Sequence, residues 1–217
     1  MKKKLMGWVC ATGIIVAGAA WAEDVGDPVF PVDLKDKSRF ELIYGNEQRD
    51  MDVDGVKAEF EADTYMLRMH TDVGQYAYLD FDVGYMDPSD GSGAFYGGVG
   101  LRSLVYDAEK YRMAGHVQGH YAPGIEFNGA DADYWSVDGG VTLAGKIKID
   151  EQLTILPYAG PILSTVNLDG DDADASEDHI MGVVAGVSLE LREMNTIRIE
   201  ARYIDSASYS AAAGVAF

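Results

Sequence analysis

Residues 77–85 read AYLDFDVGY and alternate between two kinds of side chain. The odd-numbered positions are apolar, from Ala77 to Tyr85, whereas the even-numbered positions include Asp80 and Asp82. Successive side chains of a β-strand point to opposite faces, whereas an amphipathic helix would space its apolar residues three and four apart. The stretch therefore predicts a β-strand with one apolar face and one polar face.

The same alternation recurs along the chain after residue 38. The ten runs that show it lie near residues 39–47, 57–70, 76–86, 94–105, 111–121, 133–148, 153–164, 179–191, 195–204 and 207–217. Strands of soluble proteins average about five or six residues, whereas about ten residues tilted by about 45° cross the apolar part of an outer membrane. The sequence predicts an all-β fold, a closed antiparallel up-and-down transmembrane β-barrel with ten strands. Eight or twelve strands are alternatives, and a secreted β-sandwich is the rival architecture.

The connections between these runs alternate in length and composition. Long connections rich in acidic residues and glycine lie at residues 47–55, 87–93, 123–133 and 167–178. Short connections lie between them at residues 71–75, 107–110, 150–152 and 192–195, and a fifth outer connection at 205–208 is also short. Short periplasmic turns and longer outer loops are typical of outer-membrane barrels. The pattern therefore predicts that both ends of the barrel domain lie on the periplasmic side.

The first 22 residues have the features of a secretory signal peptide. Lysines at positions 2–4 are followed by an apolar run and by an Ala-x-Ala site at residues 20–22. The predicted division is a signal peptide at 1–22, a periplasmic N-terminal segment at 23–37 and the barrel domain at 38–217. Cys10 is the single cysteine, which excludes a disulfide framework and a cysteine-based zinc site.

Acidic side chains outnumber basic ones by 36 to 17, and the formal net charge is -19 at pH 7. Sequence-independent binding of nucleic acid needs clustered Lys and Arg, so nucleic acid is excluded as a partner. The sequence contains no phosphate-binding loop and no cluster with metal-ligand spacing above chance. We therefore predict no cofactor, no metal and no catalytic residue.

Four short motifs near the C-terminus resemble those of the OmpA-like and OprF-like outer-membrane β-barrel domains. They are LPYAG at residues 156–160, AGV at 185–187, EARYID at 200–205 and GVAF at 214–217. Six runs precede the strand of Pro157, where an eight-stranded member of this superfamily would have four, and this favours ten strands. The resemblance implies a location in the cell outer membrane, contact with lipid and lipopolysaccharide, and a monomer. It also implies that the barrel assembly machinery reads the terminal strand through Phe217.

Aromatic residues lie near the ends of several predicted strands, as in the girdles of membrane barrels. Those expected at the outer rim are Tyr85, Phe95, Tyr121 and Trp135, and those expected at the inner rim are Tyr106, Tyr111 and Phe217.

The second face of each strand is predicted to point into the lumen of the barrel. The predicted polar network of the lumen consists of Arg68, Asp80, Asp82, Arg102, His116, His120, Asp138, Glu200 and Arg202. Charges inside a narrow barrel must pair, which favours a salt-bridged core that fills the lumen. The alternative is a narrow porin-like channel for small solutes. The inward glycines that favour this alternative by leaving room are Gly84, Gly98, Gly100, Gly182, Gly186 and Gly214.

The densest acidic stretch is a candidate cation loop with Asp169, Asp171, Asp172 and Asp174. It lacks the glycine and glutamate positions of an EF-hand. Weak bridging of divalent ions to lipopolysaccharide phosphates is one hypothesis, and a solvated mobile acidic loop is the other.

The functional prediction is an outer-membrane barrel with a structural or envelope role, and not an enzyme. A less favoured alternative is an omptin-like rim protease or a lipid-modifying enzyme. Asp178 and His179 lie together at a predicted outer rim, and Asp87 and Asp90 lie in another outer loop. An aspartate there could orient the histidine while other carboxylates position a water molecule. The chain is far shorter than omptins, and its Asp-His spacing does not clearly match theirs.

Overall fold

The computed structural model describes residues 38–53, 56–74, 76–127, 129–170, 174–177, 180–191 and 195–216. The predicted signal peptide, the N-terminal segment 23–37 and Phe217 therefore lie outside the described residues, as do Asp171, Asp172, Asp178 and His179. Within the described ranges, no helix is long and apolar enough to cross a membrane.

The described residues form a single sheet of twelve antiparallel strands. The strands are β1 (Arg39–Val53), β2 (Val56–Gly74), β3 (Ala77–Pro88), β4 (Ala94–Asp107), β5 (Tyr111–Phe127), β6 (Ala130–Gly145), β7 (Ile147–Lys148), β8 (Leu153–Gly170), β9 (Asp174–Glu177), β10 (Met181–Leu191), β11 (Asn195–Tyr203) and β12 (Ala207–Ala216). Ten of them close into a barrel, because β12 pairs with β1 and β8 pairs with β10. The two short strands β7 and β9 are additional. The predicted closed ten-stranded barrel is therefore confirmed.

An apolar belt surrounds the barrel on its outward face. Leu42 is 68% exposed, Val99 61% and Ile199 67%. The residues on either side of Leu42 and Ile199 along their strands point inward and are buried. Exposed aromatic rings border the belt, with Phe95 packed edge-on against Tyr85 at one rim. A surface of this kind is stable in hydrocarbon and unfavourable in water.

Three of the four long outer connections predicted from the sequence are strands for most of their length. The hairpin of β1 and β2 continues to the pair Val53↔Val56, the hairpin of β5 and β6 continues to Phe127↔Ala130, and β8 runs to Gly170. The prediction of loops at 47–55, 123–133 and 167–178 was therefore wrong over most of these ranges. Acidic and glycine-rich composition is common in loops, but cross-strand pairing over an extended hairpin outweighs it here. We call these raised parts of β1, β2, β5, β6 and β8 the outer extension.

The outer extension is closed by strand β9 and by one turn. Strand β9 lies between Met51–Val53 of β1 and Asn167–Asp169 of β8, above the ends of β10, β11 and β12. On the other side, the Ser89 amide donates to the Glu61 carbonyl at 2.9 Å, and the Glu126 amide donates to the Ser92 carbonyl at 3.1 Å. These contacts complete a second ring above the belt.

Pro161 lies inside β8 without a bulge or an end to the strand. Proline has no backbone N–H and removes a hydrogen bond from a closed sheet. The ladder between β6 and β8 skips Val141 and Thr142 and resumes in the same register at Leu143↔Ala159. The neighbouring ladder to β10 continues through Pro161↔Val183.

Replacing Val99 by arginine tests the apolar belt. An arginine facing hydrocarbon at mid-depth costs about 2–4 kcal/mol, against about 0–1 kcal/mol near the interface. We expect Val99→Arg to lower the free energy of unfolding by about 2–4 kcal/mol. The measurement is a urea titration of the protein in lipid vesicles, in which heat-modifiable gel mobility reports the folded fraction. Glu59→Arg, on the outward face above the belt, is the control and should change it by less than about 1 kcal/mol. Equal effects of the two variants would contradict the belt.

Candidate functional site

The structure places all nine predicted lumen residues inside the barrel. They are Arg68, Asp80, Asp82, Arg102, His116, His120, Asp138, Glu200 and Arg202, and each is 9% exposed or less. Some of these charges are direct neighbours across two strands, as Arg68 and Asp82 are, and others meet diagonally or across the lumen. Eight of the nine residues take part in polar contacts of several separate sets.

The centre of the network is a forked pair between β2 and β3. Arg68 lies opposite Asp82 in the strand register, and its Nε and Nη2 atoms donate to the two carboxylate oxygens at 2.7 Å each. Arg68 also donates to the Gln118 amide oxygen at 3.2 Å. The Nε2 atom of His120 lies 2.8 Å from Asp82 Oδ2. Two parallel bonds to one carboxylate give both strength and a fixed geometry.

A second set of contacts crosses four strands near the end of the barrel where β1 begins. Asp80 binds Arg102 through one oxygen and His70 Nδ1 through the other at 2.7 Å. His70 Nε2 lies 3.1 Å from Glu41 Oε2, and Glu41 also pairs with Arg39. The chain of contacts thus joins β1, β2, β3 and β4 through their side chains.

The opposite wall carries further polar pairs. Arg202 donates to Asp138 at 3.0 Å, and the Tyr158 hydroxyl donates to Glu200 at 2.5 Å. His116 is buried beside Gly140, and the described residues supply no hydrogen-bond partner for its ring nitrogens. The structure therefore brings eight of the nine predicted residues into polar contacts and leaves His116 apart from them.

The interior holds more charge than the sequence predicted. Every arginine that the structure describes is buried, and these are Arg39, Arg49, Arg68, Arg102, Arg112, Arg198 and Arg202. Eight buried carboxylates face them, from Glu41, Glu47, Asp80, Asp82, Asp138, Glu177, Glu190 and Glu200. None of the described lysines is buried. Arginine suits buried pairs because its planar group forms several hydrogen bonds and is weakly hydrated.

Several of these charges were missed because of how their segments were interpreted. Arg39 and Glu41 follow the alternation of the first run, with Phe40 and Leu42 between them, and this signal was sufficient to place them inside. Glu47, Arg49 and Glu177 were missed because residues 47–55 and 167–178 were interpreted as loops.

The inward glycines accommodate neighbouring side chains rather than open space. A Cβ atom at Gly84 would overlap the Tyr96 ring, and one at Gly98 would overlap His120. The same holds at Gly186 for Tyr158. Further overlaps are at Gly182 with Ile204 and at Gly214 with Arg39 and Glu41, and at Gly100 the contact with Gln118 would be tight at 3.1 Å. The expectation that these glycines leave room in the lumen was therefore wrong, since large side chains from adjacent strands cross over them.

Most of the buried side chains in the outer extension are apolar, and they belong to a cluster that continues down into the barrel. The cluster includes Ile43, Met51, Phe60, Ala62, Met66, Met86, Tyr96, Ala122, Ile125, Ala132, Tyr134, Val166, Leu168, Ala175 and Ala212. The Phe60 ring packs on Phe127 and Tyr134 with centroid distances of 5.7 and 5.8 Å. The predicted salt-bridged core therefore occupies only part of the interior. At the level of the apolar cluster the outward side chains are polar, as at Glu61 and Asp63, and the apolar residues lie inside.

One arginine holds two carboxylates where the polar and apolar layers meet. Arg49 Nε lies 3.1 Å from Glu47 and 3.5 Å from Glu177, which belongs to β9. The Tyr134 hydroxyl donates to Glu47 at 3.0 Å. Burial raises the pKa of Glu177 to about 8; Arg49 opposes this rise, and the carboxylates of Glu47 and Asp205 contribute to it. The Glu177 carboxyl therefore holds a proton more strongly in the closed position of β9 than it would in water.

The outward face of the outer extension is acidic. Asp63 accepts hydrogen bonds from the Tyr44 hydroxyl at 3.1 Å and from the Asn46 amide at 3.2 Å. Asp133 accepts from the Tyr121 hydroxyl and the Gly124 amide, and these bonds lower the pKa of its carboxyl. The girdle tyrosines thus hold the carboxylates just above the belt.

The candidate cation loop falls partly on strands. The backbones of Asp169 and Asp174 pair across β8 and β9, whereas Asp171 and Asp172 are not among the described residues. Within the described ranges, no three His, Cys, Asp or Glu side chains form a group that could hold a metal ion.

Comparison with solved structures finds outer-membrane β-barrels of several kinds. An outer membrane channel from Pseudomonas putida F1 is 10% identical over 92% of this chain and 98% of its own, with a TM-score of 0.45. The attachment invasion locus protein Ail of Yersinia pestis is 13% identical over 83% and 98%, with a TM-score of 0.38. The outer membrane protease OmpT from Escherichia coli is 9% identical over 84% and 96%, with a TM-score of 0.42.

The chain matches no protein-family model and no curated protein. The resemblance to OmpA-like domains therefore stays a prediction, and the comparisons concern the fold alone.

Removing the carboxylate of Asp82 tests the central pair. Asp82→Ala leaves the Arg68 charge without its main counter-charge, and breaking a buried pair in this way costs about 3–5 kcal/mol. We expect a loss of this size in the free energy of unfolding in lipid vesicles. The double variant Arg68→Ala/Asp82→Ala should lose less free energy of unfolding than the two single variants lose together. Asp87→Ala, on the exposed face of the same strand, is the control, with a change within about 0.5 kcal/mol.

The pH dependence of β9 tests the Glu177 contact. The folded pKa of Glu177 is raised from an ordinary value of 4.5 to about 8, so closed β9 keeps a proton that the opened strand releases between these pH values. The opening constant should therefore rise with pH across this window, by up to about tenfold per pH unit. Amide hydrogen exchange of Asp174–Glu177, corrected for intrinsic rates, measures it. Glu177→Gln should abolish the dependence and Glu59→Gln should preserve it; a pH-independent wild type would contradict the assignment.

Proposed function

We propose that this chain is a structural protein of the outer membrane, whose barrel is filled and non-conducting and carries a rigid acidic projection on the outside. The observation that supports this most directly is the filling of the interior. Arginine–carboxylate pairs occupy the part within the belt, and the apolar cluster occupies the part above it. A structural or envelope role fits a barrel whose interior is filled by its own side chains.

The filled interior opposes ion flow for two physical reasons. An ion that crosses the belt region would have to displace paired groups such as Arg68 and Asp82, whose partners are fixed by the strand register. It would then meet Phe60 and Tyr134, which are buried and supply a dry environment. Taking an ion from water into such a region is strongly unfavourable.

The proposal includes location and partners. The signal peptide at 1–22 directs export, the belt contacts lipid and lipopolysaccharide, and the barrel assembly machinery reads Phe217. The termini face the periplasm and the outer extension faces outside, and the barrel is a monomer. Membrane partitioning, heat-modifiable mobility and size determination in detergent test these statements together. A water-soluble protein with no heat-modifiable form would contradict them.

We assign no reaction to the chain. The alternative hypothesis of an enzyme at the rim depends on Asp178 and His179, which lie outside the described residues. The absence of enzymatic activity is tested by incubating the protein with peptides or lipid A beside the His179→Ala variant. Turnover that is lost in the variant would contradict the proposal.

Recording from planar lipid bilayers tests the filled barrel. We expect no stable conductance steps from the refolded protein, because paired charges and apolar side chains occupy its interior. An established porin refolded by the same protocol is the positive control, and heat-modifiable mobility verifies that both proteins are folded. Unitary steps that scale with KCl concentration would contradict the proposal and support a narrow channel.

A further inference from the structure

Strand β2 has an edge without a strand partner above the turn that joins β3 to β4. Strand β3 ends at Pro88, and the Ser89 amide then donates to the Glu61 carbonyl at 2.9 Å. Strand β2 continues beyond this contact to Val56, and among the described residues only β1 pairs with it there as a strand. We call the opening between residues 56–60 of β2 and the end of β5, above this turn, the notch.

The strand register shows which backbone groups face the notch. The Asp50 amide of β1 donates to Asp205 Oδ2 at 3.3 Å, so the backbone groups of Asp50 point away from β2. Asp50↔Glu59 is therefore a non-hydrogen-bonded pair of the antiparallel ladder. The amide and carbonyl of Glu59 consequently point away from β1 and into the notch, on the same side as the Glu61 carbonyl that binds Ser89.

Comparable edges on the opposite side of the outer extension are covered. Strand β9 pairs with both β1 and β8. Below β9, the Ser208 hydroxyl accepts from the Gln48 amide and donates to the Gln48 carbonyl, at 3.2 Å each, and Asp205 binds the Asp50 amide. At the notch, none of the residues that the structure describes forms a hydrogen bond with the backbone of Glu59. This edge is therefore available to an added strand.

The side chains around the notch are predominantly acidic. The carboxylates at its edges and floor, all exposed or partly exposed, are those of Glu59, Glu61, Asp90, Glu126 and Asp131. Glu126 and Asp131 lie directly opposite each other in the register, where like charges are unfavourable. Lys57 of the same β2 segment has Asp52 opposite it. An occupant with basic side chains is therefore favoured over a neutral or acidic one.

We propose that the notch binds an extended, positively charged segment of another protein, which adds to β2 as a further strand. The segment forms hydrogen bonds with the amide and carbonyl of Glu59 and places basic side chains beside the surrounding carboxylates. Strand β9 shows that the outer extension accepts a single short strand at an edge of this kind. The inference goes beyond the proposed structural role and depends on it only for the side of the membrane from which the partner comes.

The notch is a fixed part of the fold. A Cβ atom at Gly91 would overlap the backbone of Glu126, so the turn packs closely against β5. Behind the notch, the rings of Phe60 and Phe127 pack with their centroids 5.7 Å apart. The added segment therefore meets a preformed edge and does not enter the barrel. A metal ion is a poorer occupant, because the described residues form no group of three ligands that could hold one.

Fluorescence anisotropy tests the proposal with a labelled peptide of alternating lysine and threonine and the whole protein refolded in detergent micelles. We expect saturable binding to the wild type. The same peptide N-methylated at every residue keeps the charge but has no amide to donate, and it should bind about tenfold more weakly. In hydrogen exchange, the Glu59 amide should become protected only when the unmethylated peptide is bound.

Two charge-reversed variants separate the notch from general attraction to an acidic surface. Glu59→Lys should weaken binding of the unmethylated peptide about tenfold, because it places a like charge beside the added strand. Asp169→Lys makes the same change of charge on β8, away from the notch, and should alter binding by less than about twofold, since exposed charges are screened over such distances. Heat-modifiable mobility verifies that each variant is folded.

Three outcomes would overturn the proposal. They are the absence of saturable binding to the wild type, equal binding of the two peptides, and equal weakening by Glu59→Lys and Asp169→Lys. The second result would show that charge alone attracts the peptide. Binding in micelles does not depend on the orientation of the barrel in a membrane. A protein that fails to partition with membranes would contradict the proposed location instead, so the two failures are distinguishable.

Discussion

Side chains on each barrel strand alternate between the interior and the surroundings, and the surroundings change from water to hydrocarbon along the length of one strand. Strand β2 shows both regimes. Above the belt Phe60 points inward and Glu61 outward, whereas within the belt Leu67 points outward and Arg68 inward. The geometry of the strand is the same throughout. Above the belt the inward face of the strand is apolar, whereas within the belt the outward face is apolar. The position of this change marks the edge of the belt.

The buried charges act on register as well as on stability. Arg68 and Asp82 are direct neighbours across two strands, as are His70 and Asp80. A shift of one residue would turn every inward charge toward lipid and every apolar side chain into the lumen. Few alternative pairings of these strands are therefore compatible with a membrane. The interior pairs favour one register most strongly within the belt.

Much of this arrangement follows from the sequence, and the remainder depends on contacts between distant segments. Period-two alternation was enough to predict the ten-stranded barrel and to place residues such as Arg102 and Asp138 inside it. Strand β9 was missed because four residues carry too little periodicity, and their pairing with β1 and β8 is visible only in three dimensions. The role of Gly98 also depends on a neighbour, since His120 occupies the space above it. Glycine composition alone does not distinguish open space from space filled by another strand.

The balance of charge inside the barrel determines where the strong negative charge of the chain resides. Eight buried carboxylates face seven buried arginines, so the interior contributes little to the formal net charge of -19. The excess negative charge therefore lies on parts of the chain outside the buried interior, including the outward face of the outer extension. Carboxylates inside the barrel thus have arginine neighbours, whereas those on the outward face of the outer extension, such as Asp63, have neutral hydrogen-bond donors.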